Sequence, residues 1–393
     1  MKKTYLDNAA TTPADLRVLL AMLPCFTEIY GNPSSLHTLG QEAKHLVEDS
    51  RQTIASFIGA LPDEIIFTCG GTEGNNTVVE GVAHARRDKG NHIITSKIEH
   101  HSILEACHFL EKEGFEVTLI PVNECGLVDP DDVRRAITDR TILISIMHAN
   151  NEIGTIQPLA EISQIARENG IYFHTDAVQT FGHLPVNVNE LQIDLLSASA
   201  HKLYGPKGAG FLYVRKGTRM KPLLRGGNQE KGWRASTHNV PGIVGLGKAV
   251  ELAKEEFVNE IENLTFLRNM LIDGILTKIE HSRLNGHPSQ RLPNNVNVSF
   301  SHVESESMLL NLDREGIACS TGSACTSSNM EPSHVLSAIG LPREHALGSL
   351  RFSLGRQTTQ DDIRNLLEVL PGVISKLRSI SPAYKKAAKK FKE

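Results

Sequence analysis

Short apolar runs alternate with amphipathic segments between about residue 60 and residue 215. The runs that we predict to be strands, on their β-branched content and flanking turn residues, are 65–67, 92–95, 116–121, 141–147, 171–174, 193–196 and 210–214. The segments with helical spacing are 74–87, 101–113, 130–137 and 159–169. Strands separated by helices indicate an α/β fold with a mainly parallel sheet covered by helices on both faces. Active sites of such folds lie at the carboxyl ends of the strands.

Beyond about residue 240 the regular alternation ends. Segment 244–279 has the spacing of one long or kinked helix, and 295–300 alternates like a half-buried strand. Segments 307–314 and 361–377 are predicted to be helices. Because strands and helices no longer alternate as in a parallel sheet, we expect a smaller α+β domain at the C-terminal end.

Composition adds few constraints. The chain has 393 residues, 40% of them hydrophobic and 22% charged, with a formal net charge of -4. That balance predicts no general attraction to nucleic acid or to an anionic membrane. The lysine-rich run 385–392 is the exception, and we interpret it as a solvated helix end rather than a binding patch. No apolar run approaches the roughly 18 residues of a membrane span, and the first residues lack a signal-peptide core, so we expect a cytoplasmic protein.

The six cysteines are scattered, without a C-x-x-C pair and without histidines at zinc-site spacing. We therefore expect no disulfide framework and no metal site, in a reducing compartment. Cys325 lies in the small, polar segment 319–328, which predicts an accessible and reactive thiol, although an incidental surface cysteine is the alternative. Cys319 follows apolar residues and is expected to be buried and inert.

Lys202 is the first candidate for chemistry. It lies among small and polar residues, directly after the predicted strand 193–196. A lysine in that setting can form a Schiff base with pyridoxal phosphate, and the neighbouring hydroxyl and imidazole groups could bind the phosphate. A solvated surface lysine is the alternative, and this segment alone does not decide between them.

Further polar clusters follow other predicted strands. Gly71 and Thr72 open a helix after a strand, which favours an anion, unless the loop is only a tight turn capped by Thr72. Asp176 could hold a pyridine nitrogen protonated, with Gln179 near a ring substituent, or it could simply cap a helix. His100 could stack on a flat cofactor and carry protons, or it could be an ordinary loop residue.

Two arginines flank the strand-like run near residue 353. Either Arg351 or Arg356 could clamp a substrate carboxylate through paired hydrogen bonds, and an ordinary surface ion pair is the alternative. Segment 148–154 adds another polar cluster at a predicted strand end.

Together these segments resemble the cysteine desulfurases of the NifS/IscS group, pyridoxal-phosphate enzymes of fold type I. The similarity spans nearly the whole chain, through the motifs at 5–12, 31–37, 71–73, 148–154, 176–179, 199–202, 234–237, 323–327 and 351–356. The resemblance implies a large pyridoxal-phosphate-binding domain over 15–260. It also implies a small domain, formed by 1–14 and 261–393, that carries the catalytic cysteine loop.

The resemblance also implies a role for each site residue. Lys202 would form the Schiff base, Asp176 would pair with the pyridine nitrogen, Gln179 with the ring oxygen, and His100 would stack on the ring. The phosphate would be held by Gly71, Thr72, Ser199 and His201. Asn150 would contact cofactor and substrate, and Arg356 would bind the substrate carboxylate. Thr237 would reach the phosphate of the neighbouring subunit's cofactor, which implies a homodimer.

The implied reaction converts L-cysteine to L-alanine and leaves the sulfur as a persulfide on Cys325, in a loop like the long type of this family. A protein acceptor such as an iron–sulfur scaffold would take the sulfur, with a transient iron–sulfur contact through Cys325. The lysine-rich end departs from the scaffold-docking segment of housekeeping members, so a NifS-like or tRNA-thiolation role stays open. Selenocysteine lyase, pyridoxal-phosphate aminotransferase and a non-enzymatic sulfur carrier are the alternatives.

Overall fold

The computed structural model describes residues 3–321, 332–381 and 384. Its strands are Thr4–Tyr5 (β1), Ile65–Thr68 (β2), His92–Ser96 (β3), Glu116–Ile120 (β4), Thr141–Ser145 (β5), Tyr172–Asp176 (β6), Leu195–Ser199 (β7), Gly210–Val214 (β8), Ser282–Leu284 (β9), Asn295–Phe300 (β10), Ile317–Ala318 (β11) and Ser349–Ser353 (β12). Its α-helices are Leu16–Met22 (α1), Pro24–Thr27 (α2), Thr38–Ile58 (α3), Gly71–Ala85 (α4), His101–Lys112 (α5), Pro130–Ala136 (α6), Leu159–Glu168 (α7), Val240–Lys278 (α8), Ser305–Arg314 (α9), His334–Ala338 (α10), Arg343–Leu347 (α11) and Gln360–Ile380 (α12).

The largest sheet has seven strands in the order β2-β8-β7-β6-β5-β3-β4. Strands β3 to β7 run parallel to one another, and β8 is antiparallel to both of its neighbours, β2 and β7. Almost every residue of the inner strands is buried, which explains why their sequences are continuous apolar runs instead of alternating ones. The predicted mainly parallel α/β sheet is confirmed, and β8 is the antiparallel exception within it.

A second, smaller core lies in the C-terminal part of the chain. Strand β10 pairs with β12 and β9 in an antiparallel sheet, and α12 packs against α8 and α9. Strand β1 pairs with β11, so the N-terminal strand joins the C-terminal part of the chain. This arrangement agrees in kind with the predicted small α+β domain, whose limits at residues 14 and 261 stay predictions.

Helix α8 connects the two cores. Its first half buries residues such as Leu246 and Val250 against the large core, and its second half buries Leu267 and Leu271 against the small one. One continuous helix therefore sets the position of the small core relative to the large sheet. No helix among the described residues is both long and apolar enough to cross a lipid bilayer.

The carboxyl ends of the parallel strands carry the predicted site segments. Strand β6 ends at Asp176, and β7 ends at Ser199, directly before the 3-10 turn Ala200–Lys202. Helix α4 begins at Gly71 after β2, and α5 begins after β3 with His100 as its N-cap residue. Because neighbouring parallel strands end at the same edge of the sheet, these separate segments meet there.

Candidate active site

A cavity of about 400 Å³ lies at this edge of the sheet, within the size range of small-molecule sites. The sequence-predicted residues that line it are Gly71, Thr72, His100, Asp176, Gln179, Ser199, His201 and Lys202. The fold thus brings together residues that are separated by as many as 131 positions, from 71 to 202.

Lys202 reaches the cavity from the turn after β7. Its Nζ donates hydrogen bonds to the carbonyl oxygens of Ala9 at 2.5 Å and Ala10 at 2.7 Å. Gln179 Nε2 donates to the same Ala9 carbonyl at 3.0 Å. The N-terminal segment therefore forms one wall of the cavity and positions both side chains, a role that no sequence pattern indicated.

Asp176 is buried at the end of β6 and has both carboxylate oxygens bonded. The backbone N–H of Val178 donates to Oδ1 at 2.9 Å, and Asn75 Nδ2 donates to Oδ2 at 2.7 Å. Hydrogen bonds to both oxygens hold the orientation of a carboxylate. Asp176 is therefore an oriented carboxylate at the floor of the cavity.

The N-terminus of α4 forms the opposite end of the cavity. A Cβ on Gly71 would lie 2.5 Å from Val178 Cγ2, so this position accepts only glycine without rearrangement. Gly70 has a φ of +156°. Close backbone approach, free N–H groups and the helix dipole make this end suitable for a phosphate. The side chains of Thr72, Ser199 and His201 surround it.

His201 is neutral at physiological pH. Burial, followed by the positive charge of Lys202, lowers the pKa of its imidazole to about 4. Its Nδ1 lies 3.1 Å from Thr11 Oγ1, a second contact between the site and the N-terminal segment. A neutral imidazole can donate one hydrogen bond to an anion.

His100 caps α5 through its own side chain. Its Nδ1 accepts from the backbone N–H of Ser102 at 3.1 Å and lies 2.8 Å from Ser102 Oγ. Burial lowers the pKa of the imidazole, although the nearby Asp176 charge opposes the shift. The ring is therefore neutral with Nδ1 unprotonated, and its hydrogen is on Nε2.

Asn150 was expected to contact cofactor and substrate, but it does not line the cavity. It is fully buried, and its Oδ1 accepts from the backbone N–H groups of Glu152 and Ile153, while its Nδ2 donates to the Ile98 carbonyl. These bonds close the turn after β5. Asn151, the next residue, is the one that lines the cavity.

Arg356 likewise does not match the role expected for it. Its guanidinium bonds Glu260 at 2.8 Å and Glu256 at 3.0 Å, and it stacks over the Tyr204 ring. Acidic partners hold it against α8, and it is not among the described residues that line the cavity. The ion-pair alternative weighed for this arginine describes its observed contacts.

Arg351 lies at the cavity instead. It is buried, its Nη2 donates to Asp7 Oδ1 at 2.9 Å, and its Nη1 donates to the Asn151 carbonyl at 3.0 Å. Its Nε has no hydrogen-bond partner among the described residues. A buried, cavity-lining guanidinium of this kind can receive an anionic substrate group.

Three further residues were singled out in the sequence: Thr237, Cys319 and Cys325. Thr237 is exposed on the loop after the 3-10 turn Gln229–Gly232 and does not line the cavity of its own chain. Cys325 lies outside the described residues. Cys319 is buried, and burial raises the pKa of its thiol to about 12, so its thiol is unreactive as expected.

The residues present fit pyridoxal phosphate. A lysine amine, an oriented carboxylate and the N-terminus of α4, which can bind a phosphate, line one cavity. In the described ranges no cluster of three or more histidine, cysteine or acidic side chains could hold a metal ion. Sequence reasoning did not single out Asn75, four residues after Gly71 in α4, or Ser102, two residues after His100 in α5, and both line the cavity.

The chain is similar over most of its length to known proteins. The family model for aminotransferase class-V matches residues 4–366. A cysteine desulfurase IscS from Dictyoglomus turgidum is 60% identical over 97% of this chain and 97% of its own. The solved structure of a NifS-like protein has a TM-score of 0.90 and 37% identity, covering 96% of this chain and all of the other. A structure described as SspA in complex with cysteine has a TM-score of 0.81 and 39% identity, covering 90% of this chain and 99% of the other.

Proposed function

This chain belongs to the aminotransferase class-V family and, within it, to the cysteine desulfurases, and from that premise we propose that it converts L-cysteine to L-alanine with transfer of the sulfur to Cys325. It is a pyridoxal-phosphate enzyme, as the members of this family are. The observation that supports the proposal most directly is the meeting of Lys202, Asp176 and Arg351 around one cavity. An amine, an oriented carboxylate and a buried guanidinium are what an amino-acid substrate and this cofactor require.

When bound, pyridoxal phosphate supplies an electron sink for the bonds at the substrate α-carbon. Lys202 would hold the cofactor covalently and, once released, its Nζ would take the α-proton and return a proton to the product. Asp176 would keep the ring nitrogen protonated, because its carboxylate is oriented by hydrogen bonds from Val178 and Asn75. The α4 N-terminus, with Thr72, Ser199 and His201, would bind the phosphate.

We assign the substrate carboxylate to Arg351 and not to Arg356. Arg351 lines the cavity, and although it pairs with Asp7, its Nε has no hydrogen-bond partner among the described residues. Arg356 does not line the cavity and is paired with both Glu256 and Glu260. Asn151 lines the same side of the cavity, and its carbonyl oxygen accepts from the Arg351 Nη1. An arginine can bind a carboxylate through two parallel hydrogen bonds, which fixes the orientation of the substrate.

The sulfur transfer is balanced without an external oxidant. L-cysteine and the Cys325 thiol yield L-alanine and the Cys325 persulfide: the carbon–sulfur bond breaks, a sulfur–sulfur bond forms, and the carbon gains a hydrogen. His100 can donate a hydrogen bond from Nε2 to a sulfur atom in the cavity, because Nδ1 already accepts a hydrogen bond. The assignment to Cys325 rests on the resemblance and on its segment.

The deciding experiment compares Cys325→Ala with Cys319→Ala. Both variants lose one thiol, but Cys319 is buried with a raised pKa, so it is the matched control. We expect alanine and sulfide, measured from L-cysteine plus a reductant, to be lost in Cys325→Ala and kept in Cys319→Ala, with cofactor bound in both. Unchanged turnover of Cys325→Ala would reject the persulfide step and favour another lyase or a transaminase.

We also propose a homodimer. Large apolar side chains are exposed on α1, α2 and the segment before α3: Leu16, Leu20, Leu23, Phe26, Tyr30 and Leu36. Leu36 is 94% exposed and Phe26 is 59% exposed. Large apolar side chains that are exposed close together in sequence, as here, are typical of a subunit interface. The exposure of Thr237 is in keeping with a contact to the phosphate in the second subunit.

Hybrid dimers test whether Thr237 acts on the partner's cofactor. A Lys202→Ala subunit combined with a Thr237→Asp subunit forms one site with both residues intact if Thr237 acts across the interface. We expect the purified hybrid to recover up to half of the wild-type rate, while each variant alone stays inactive. If Thr237 acted within its own subunit, neither site of the hybrid would be intact and no activity would return.

We propose a protein thiol as the physiological acceptor, as on an iron–sulfur scaffold, in the cytoplasm. A thiolate takes the outer sulfur of a persulfide by direct exchange, which needs only reduced thiols. The described cysteines are all free. Radiolabelled sulfur on Cys325 should move to a purified scaffold in a single turnover. Transfer only to a tRNA-thiolation acceptor would reject the iron–sulfur scaffold as the acceptor and indicate a role in tRNA thiolation.

A further inference from the structure

A hydrogen-bond relay connects Asp176 to His100 through two residues that sequence reasoning did not identify. Asn75 Nδ2 lies 2.7 Å from Asp176 Oδ2 and 2.8 Å from Ser102 Oγ. Ser102 Oγ in turn lies 2.8 Å from His100 Nδ1. All four side chains line the cavity. The relay therefore joins the carboxylate at the cavity floor to the imidazole at its wall.

The donors and acceptors determine the direction of each bond. The two hydrogens of Asn75 Nδ2 go to Asp176 and to Ser102 Oγ. Because Ser102 Oγ accepts from Asn75, its own hydrogen is available for His100 Nδ1, which also accepts from the Ser102 backbone N–H. Nδ1 therefore has no hydrogen of its own, and a hydrogen there would face the N–H of Ser102.

The Asn75 side chain makes hydrogen bonds only as a donor, through Nδ2. Its side chain is 1% exposed, and its Oδ1 has no hydrogen-bond partner among the described residues. A buried amide oxygen without a partner is costly, so the two donated bonds must account for an asparagine here. Asn76, its neighbour, donates to the Ser102 carbonyl at 2.6 Å and ties α4 to the start of α5.

We propose that Asn75 and Ser102 are positioning residues of the reaction, which orient the Asp176 carboxylate and hold the hydrogen of the His100 ring on Nε2. The proposal rests on the proposed function for its activity readout only. Asn75 acts on both ends of the relay, since one amide group bonds Asp176 and Ser102. Ser102 acts on His100 alone.

The first experiment follows the protonation of His100 in the holoenzyme by NMR of isotope-labelled histidine, assigned with His100→Gln. The titratable groups that face His100 are Asp176, Lys202, His101 and His334. We expect the wild-type ring to be neutral with hydrogen on Nε2, and Ser102→Ala to raise its protonation midpoint by about one pH unit, since one donor to Nδ1 is lost. Ser102→Thr should restore the wild-type value. Hydrogen on Nδ1 in the wild type, or an unchanged midpoint in Ser102→Ala, would overturn the proposal.

The second experiment is a double-mutant cycle on alanine formation. We expect Ser102→Ala to lower kcat about tenfold with little change in KM, and to have no further effect in the His100→Gln background. The same fractional loss in both backgrounds would mean that Ser102 does not act through His100. Absence of alanine formation by the wild type would reject the proposed function, while the NMR titration would still test the relay.

Asn75→Leu keeps the shape of the side chain and removes both donors. Dialysis against cofactor-free buffer then measures how well Asp176 still holds the cofactor, without reference to turnover. We expect cofactor affinity to fall about tenfold and the His100 midpoint to rise as in Ser102→Ala. Unchanged affinity together with an unchanged midpoint would show that Asn75 only fills space.

Discussion

The guanidinium carbon of Arg356 lies 4.3 Å from the centroid of the Tyr204 ring, and the Arg356 backbone N–H donates to the Tyr204 hydroxyl at 2.5 Å. Tyr204 has a φ of +63° and follows Lys202 by two residues. The contact ties the turn that carries the reactive lysine to the chain after β12 and, through Glu260, to α8. Arg356 does not line the cavity, but its contacts hold the turn after Lys202 in place.

The two arginines should therefore respond differently to substitution. Arg351→Lys should raise the KM for L-cysteine at least tenfold, because lysine cannot form the paired bonds to a carboxylate. Arg356→Ala should leave KM within about twofold and lower the free energy of unfolding by about 2 kcal/mol, since its ion pairs are partly exposed. Steady-state kinetics and urea unfolding of both variants make the comparison. A large KM effect confined to Arg356→Ala would restore the original assignment.

Glu99 predicts a pH dependence of stability. It is fully buried beside Ser96 and the Met147 N–H, and burial raises the pKa of its carboxyl to about 8, against the opposing hydrogen bonds. Between pH 5 and 8 the native state keeps a proton that the unfolded chain releases, so this contribution falls by about 1.4 kcal/mol per pH unit as the pH rises. Glu99→Gln cannot titrate. Its stability relative to the wild type should increase over that range, as measured by urea unfolding at each pH, and a constant difference would contradict the raised pKa.

Glu230 should make the opposite contribution: the stability it provides rises as the pH rises from about 2. Burial alone would raise the pKa of this carboxyl, but hydrogen bonds from Arg51 and His238 outweigh it and lower the pKa to about 2. The stabilisation is therefore present above the ordinary carboxyl pKa near 4.5 and is lost as the pH falls toward 2. Glu230→Gln should cost about 3 kcal/mol at pH 7 and less at pH 3, measured by chemical unfolding. A cost that does not change with pH would reject the ion-pair explanation.

The close contact between Gly71, at the start of α4, and Val178 predicts a steric effect on cofactor binding. In Gly71→Ala the new methyl group would lie 2.5 Å from Val178 Cγ2, so the helix start must shift. We expect cofactor affinity to fall about tenfold, and to recover partly when Val178→Ala is added. Gly372→Ala is the control, because a Cβ there meets nothing within 4 Å and alanine is the better helix former. Equal affinities of Gly71→Ala and wild type, measured by equilibrium dialysis, would exclude the steric model.

Local pattern was sufficient for the sheet and for the strand-end residues. The buried parallel strands are apolar runs, and the polar residues directly after them, such as Asp176, Lys202 and His100, follow the rule that such sheets form sites at strand ends. Helices α1 to α3 were not predicted. Helix α1 exposes Leu16, Leu19 and Leu20, and α2 exposes Phe26, a pattern that does not follow the amphipathic helix rule.

The sequence by itself determined the fold class, from the spacing of its strands and helices, and through the family resemblance it determined the cofactor and about half of the residues that line the cavity. Only the tertiary structure decided which of two adjacent asparagines and which of two nearby arginines reach the cavity. A difference of one residue in a turn, or of a few residues around β12, reverses the direction of a side chain, and local pattern does not record that direction. The pairing of Asn75 with Asp176 and Ser102 was likewise decided by packing, since α4 and α5 meet only when β2 and β3 have taken their places in the sheet.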